Sequence, residues 1–89
     1  MQGHMIGYER GDGEAAFTAF FRMARTTGRP VIVELEGEEG FALWLVSDAN
    51  VQGFRGRMID AGEREDRART RWVERERVVR AYRGPELNG

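Results

Sequence analysis

The sequence has no cysteine and no lysine, and its single histidine is His4. The opening Met1-Gln2-Gly3-His4-Met5 reads as an expression-tag remnant over residues 1–4, with 5–83 as one small domain and 84–89 as a flexible tail. Lacking cysteine, the chain holds no disulfide framework and no His/Cys metal spacing, and the expectation is a soluble, cytoplasmic protein without cofactor or metal. With no lysine, and no histidine outside the tag remnant, Ser47 beside Asp48 has no base to activate it as a nucleophile. Apolar runs are short as well. Outside the tag remnant the longest uncharged stretch is Gly40–Ser47, against the roughly 20 apolar residues that a membrane-spanning helix needs, so no membrane partner is expected. Two further chemistries are thin. Asp48 and Asp60 are the one carboxylate pair suggested for acid–base work or Mg²⁺, and they read more simply as a turn cap and a solvated strand end. Gly11-Asp12-Gly13 precedes a helix but follows no strand in this reading, and it carries an acid where a phosphate would dock. The chain is therefore expected not to be an enzyme.

What the sequence does have is charge and aromatics. Of 89 residues, 33% are charged and 40% hydrophobic, which is a globular composition with rings enough for a core. All 14 basic residues are arginine, against 15 acids, for a net charge of −1. The near-neutral total hides an acidic front over 5–40 (including Glu34, Glu36, Glu38 and Glu39) and an arginine-rich back over 55–83.

Phe17, Phe20, Phe21 and Ala24 recur at i, i+3, i+4 and i+7, which predicts a helix over 13–27 with Asp12 as N-cap and Gly28, then Pro30, as its stop. Val31–Glu36 alternates as a strand, Gly37-Glu38-Glu39-Gly40 is a hairpin turn, and Phe41–Val46 is a strand apolar on both sides. Ser47-Asp48-Ala49-Asn50 has turn chemistry. Residues 51–60 read as a third strand, bulged or bent at Gly53 and Gly56. Beyond Ala61 two readings stay open. One has a charged loop, then strands 70–73 and 78–82 around a single turn at 74–77. The other has one helix over 63–83, supported by the i,i+4 pairs Glu63–Arg67, Glu65–Arg69 and Glu76–Arg80.

The expected fold is α+β: an N-terminal helix packed on a small, strongly bent antiparallel β-barrel, the alternative being α-β-β-β-α with a C-terminal helix. The order of elements over 13–62 resembles the Sm-like barrels. Val31–Gly37 looks like that family's first strand with its terminal glycine, Phe41–Val46 and Asp48-Ala49-Asn50 like its second strand and acidic/Asn loop, and Met58–Ala61 like its third strand. The resemblance implies a subunit ring, with Asp48 and Asn50 in an RNA-base loop and Arg75 or Arg77 in a second loop. The sequence departs from the family in its closer Asp–Asn spacing and in having Val73-Glu74-Arg75 where the family has Ile-Arg-Gly. The ending is similar to SH3-like barrels: a strand, a tight turn at Glu74–Arg77 and a closing strand Val78–Tyr82.

Two binding expectations follow. Arg55, Arg57, Arg67, Arg69 and Arg71, with Trp72, supply phosphate donors and a stacking surface for RNA or DNA. Trp44 and Phe54, with the acidic Glu34–Glu39 edge, would instead serve a protein partner, as in an adaptor or an inhibitor carried by a phage or other mobile element, or the contact of a homo-oligomer.

Overall fold

A computed structural model describes residues 7–59 and 69–85. The tag reading (1–4), the loop reading (61–69, apart from Arg69) and Asp60 lie outside those residues. Six strands and one helix are present among them: β1 (Gly7–Glu9), α1 (Glu14–Thr27), β2 (Val31–Leu35), β3 (Phe41–Asn50), β4 (Gly53–Met58), β5 (Arg71–Glu74) and β6 (Val78–Arg83), with a 3₁₀ turn at Arg75–Arg77 between β5 and β6. The strands form one antiparallel sheet in the order β1-β6-β2-β3-β4-β5. That α+β composition is as expected, but the sheet is not closed into a barrel. β1 and β5 end the sheet as separate edges. Because β1 and β2 both run antiparallel to β6, which lies between them, β1-α1-β2 is a split crossover that lays the helix on one face.

Helix α1 forms where its aromatic stripe predicts, with Phe17, Phe20, Phe21 and Ala24 buried. Gly28 ends it at φ 70°, ψ 12°, and its N–H returns to the Ala24 carbonyl. Asp12 does not cap the helix. Gly13 holds the N-cap position, and the Asp12 carboxylate instead accepts from the Glu9 N–H at 2.9 Å, tightening the turn that follows β1. The Gly11-Asp12-Gly13 segment thus does follow a strand, one too short to read from three residues.

The sheet departs from the sequence reading at two bulges. Ser47-Asp48-Ala49-Asn50 is not a turn but the end of a ten-residue strand. The β3/β4 register pairs Val46 with Gly56 and Asp48 with Arg55, leaving Ser47 as the extra residue, its hydroxyl donating to the Arg55 carbonyl at 3.2 Å. The bulge resets the side-chain phase, so Val46 and Ala49 are both buried. The turn lies later, at Val51-Gln52, where Asn50 Oδ1 accepts from the Gln52 N–H at 2.7 Å. Asp48 and Asn50, expected in a base-binding loop, are therefore strand residues. Glycine is required at position 56 by close approach: a Cβ there would lie 2.5 Å from the Leu45 carbonyl oxygen. A second shift, between Glu34 and Leu35 opposite β6, skips Val79 and buries both Val78 and Ala81.

Over 71–83 the chain is two strands around one 3₁₀ turn, which sets aside the helix reading of 63–83 for those residues. Gly84, read as the start of a flexible tail, is buried and donates to the Pro30 carbonyl at 2.8 Å. The core lies between α1 and one sheet face. Phe21 stacks on Phe54 at 4.5 Å, Trp44 meets Phe54 edge-on at 5.3 Å, and Tyr8 meets Phe17 edge-on at 5.1 Å. Among the described residues no helix is long and apolar enough to cross a membrane.

Candidate functional site

The residues expected to meet a protein partner are in this core. Trp44 and Phe54 are both 0% exposed, so neither offers a surface. Strand β3 is apolar on both sides, and its sequence alone gives no phase. Register decides it: Trp44 pairs with Val31 and with Met58, on the face that Val31, Val33 and Leu35 turn toward the helix. Phe41, Leu43 and Leu45 are left on the opposite face, Phe41 exposed and Leu43 and Leu45 half-buried.

That open face can be read row by row from the registers. Ile32 lies between Tyr82 and Leu43, and the Ile59 N–H bonds the Leu43 carbonyl, placing Ile59 next in the row. Glu34 lies between Arg80 and Phe41. Leu45 pairs with Arg57, and Arg55 with Trp72. Ile32, Leu43, Leu45 and Trp72 are half-buried. Phe41 and Tyr82 are 52% and 43% exposed, and their rings come within 6.1 Å of each other, flanking β2. An apolar strip thus crosses the sheet, bordered along β4 by two arginines. Tyr82 was legible in the sequence, with Trp72, as aromatic surface near the arginines; Phe41 was not, because its strand carries apolar residues toward both faces.

Electrostatically the two borders differ. On the β6 side Arg80 Nε lies 3.3 Å from Glu34 Oε1. Its pKa is raised above the ordinary arginine value, first by the hydrogen bond to Tyr82 and then by the charge of Glu34. The acidic front is largely taken up in the same way, Glu36 by Arg10 at 2.8 Å, Glu38 by Arg77 at 3.1 Å and Glu14 by Arg75 at 3.2 Å, and beyond it Asp48 lies 3.7 Å from Arg25. These exposed pairs carry little stability each, but they remove most of the free acidic edge proposed for a protein partner. On the β4 side Arg55 and Arg57 are exposed, two residues apart on one strand and therefore on one face, with no acidic partner among the described residues.

The expected arginine set does not stay together. Arg55 and Arg57 share the open face with Trp72, whose indole N–H donates to Glu74 at 3.2 Å. Arg69 is exposed just before β5, and Arg67 lies outside the described residues. Arg71 is a correction. Opposite Gly56 it turns to the helix side, where the missing side chain of that glycine lets its guanidinium sit 5.0 Å from the centre of the Trp44 ring. It is half-buried there and serves to lid the core. No cluster of metal-ligating side chains occurs among the described residues. Compared with known proteins, the chain matches no family model, no curated protein and no solved structure.

Proposed function

We propose that this chain is a non-catalytic nucleic-acid-binding module that takes RNA or DNA on the open face of its sheet. The observation that carries the reading is the pair Arg55 and Arg57, exposed on one strand face without an acidic partner among the described residues, beside Trp72 and the apolar strip. Guanidinium groups offer forked donors to phosphate, and an adjacent aromatic surface suits bases that have left their stack. The net charge of −1 sets the affinity low. Two phosphate contacts give a slope of about −1.4 in log affinity against log salt, or about a sevenfold loss between 50 and 200 mM.

The test is a fluorescence-anisotropy titration with labelled single-stranded RNA, single-stranded DNA and duplex DNA at those two salt concentrations. Micromolar binding with that salt dependence, lost in Arg55→Glu/Arg57→Glu, supports the reading. No binding at low salt overturns it.

The strip of Ile32, Leu43, Leu45, Phe41 and Tyr82 favours a second reading, in which the face docks a second copy of the chain through a two-fold contact. Light scattering on the same sample separates the two. A dimer that Leu43→Glu converts to monomer supports the second reading, and a monomer removes it.

A further inference from the structure

We infer that the occupant is single-stranded and that Phe41 and Tyr82 form a base-stacking subsite distinct from the phosphate site at Arg55 and Arg57. The inference rests on the nucleic-acid reading and adds where the bases go. Three observations carry it. First, Phe41 and Tyr82 are among the large hydrophobic side chains left most exposed, yet they are held side by side, with centroids at 6.1 Å and planes tilted by 47°. Aromatic rings exposed together on a sheet offer the π-surface on which unpaired bases stack, whatever their identity. Second, the acid beside them, Glu34, is paired with Arg80 at 3.3 Å, so a phosphate passing here meets a neutralised pair. Glu9, opposite Arg80 on β1, is the other carboxylate on this side of the face.

Third, the spacing suits a strand of several nucleotides. Arg57 pairs with Leu45, four residues along β3 from Phe41, which is about 14 Å at the rise of an extended strand. About four stacked nucleotide rises cover that distance. The floor between the two ends is Leu43 and Leu45, apolar and half-buried. A duplex keeps the faces of its bases inside the stack and has none to give to the rings, whereas a single strand does. The unpaired arginines at one end and the rings at the other therefore fit a flexible anionic chain with planar, apolar side groups.

The experiment compares a labelled six-nucleotide single-stranded RNA with the same hexamer made fully abasic, at low salt, on the wild type, Phe41→Leu/Tyr82→Leu and Arg55→Glu/Arg57→Glu. Leucine keeps the strip apolar, and both positions are exposed, so folding is expected to survive; circular dichroism and the melting temperature check this. Wild type should bind the abasic hexamer at least fivefold more weakly than the normal one, the lower end for a single stacked base. Phe41→Leu/Tyr82→Leu should lose about the same factor on the normal hexamer and nothing further on the abasic one. Equal binding of both hexamers by the wild type overturns the stacking subsite while leaving the arginine site in place. Normal binding by a folded Phe41→Leu/Tyr82→Leu protein, with loss confined to Arg55→Glu/Arg57→Glu, does the same. A wild type that binds neither hexamer overturns this inference together with the nucleic-acid reading beneath it.

Discussion

Replacing Phe54 by leucine keeps the site apolar but removes two ring pairings: the stack on Phe21, 4.5 Å between centroids and only 7° from parallel, and the edge-on packing against Trp44 at 5.3 Å. Each such pair contributes about 0.5–1.5 kcal/mol beyond its buried area. With Phe54 fully enclosed and both pairings gone, the expected cost is about 2 kcal/mol. At roughly 4–8 °C per kcal/mol for a domain of this size, the melting temperature should fall by about 8–16 °C. Thermal melts followed by far-ultraviolet circular dichroism give the shift, and urea titrations give the free energy. The slope against urea should be unchanged, since the folded state buries much the same surface. Phe21→Leu and the double substitution complete a cycle. Because the two rings touch, the double variant should be less destabilised than the sum of the single ones, by about 1 kcal/mol. A Phe54→Leu protein melting within 2 °C of wild type, or a cycle that adds without coupling, would refute the placement of Phe54 in the core.

Three smaller expectations come from neighbouring positions. Gly56→Ala places a Cβ 2.5 Å from the Leu45 carbonyl oxygen and should cost about 1–3 kcal/mol, read as a lower urea midpoint. Arg71→Ala removes the guanidinium from over Trp44 together with the packing of its alkyl stem, about 1–2 kcal/mol in all, while oligonucleotide affinity in the anisotropy assay should stay within twofold of wild type. The third concerns pH. The raised pKa of Arg80 in the folded state, due to Tyr82 and Glu34, gives stability that is fully present below the ordinary arginine value and is lost only as pH rises through the folded one. Melting curves from pH 6 to 9 should show no step that disappears in Arg80→Leu.

Much of this arrangement is legible in the residues. The stripe of Phe17, Phe20, Phe21 and Ala24 places the helix, and Gly28 its end. The β-branched and aromatic clusters around 71–82 outweigh the i,i+4 charge pairs, because strands there extend the sheet beside β2 and beside β4. What the residues do not carry is phase and closure. Ser47 and Val79 each sit at a one-residue insertion relative to the neighbouring strand, and such an insertion breaks the alternation on which strand reading depends. A strand apolar toward both sides, as β3 is, takes its inward face from its partner's register, which lies elsewhere in the chain. That one ambiguity exchanged Trp44 for Phe41 in the expected surface. Arg71 parted from Arg55 and Arg57 for a similar reason: an edge strand brings alternate residues to opposite faces, and Gly56 made room on the helix side.

The sheet order also carries an expectation about the order in which the strands pair. The β2–β3 and β3–β4 pairings join neighbours along the chain, as with Ile32 and Leu43 or Asn50 and Gly53, so this meander closes small loops that cost little entropy. The β6 pairings reach back across almost the whole domain, to Ile32 on one side and Gly7 on the other, and only they bring Tyr82 beside Phe41. The ring pair thus depends on the β2–β6 pairing, whose loop closure is far longer than those of the meander and is expected to come later. A nascent or partly unfolded chain would present Arg55 and Arg57 on an early hairpin before any aromatic subsite exists beside them.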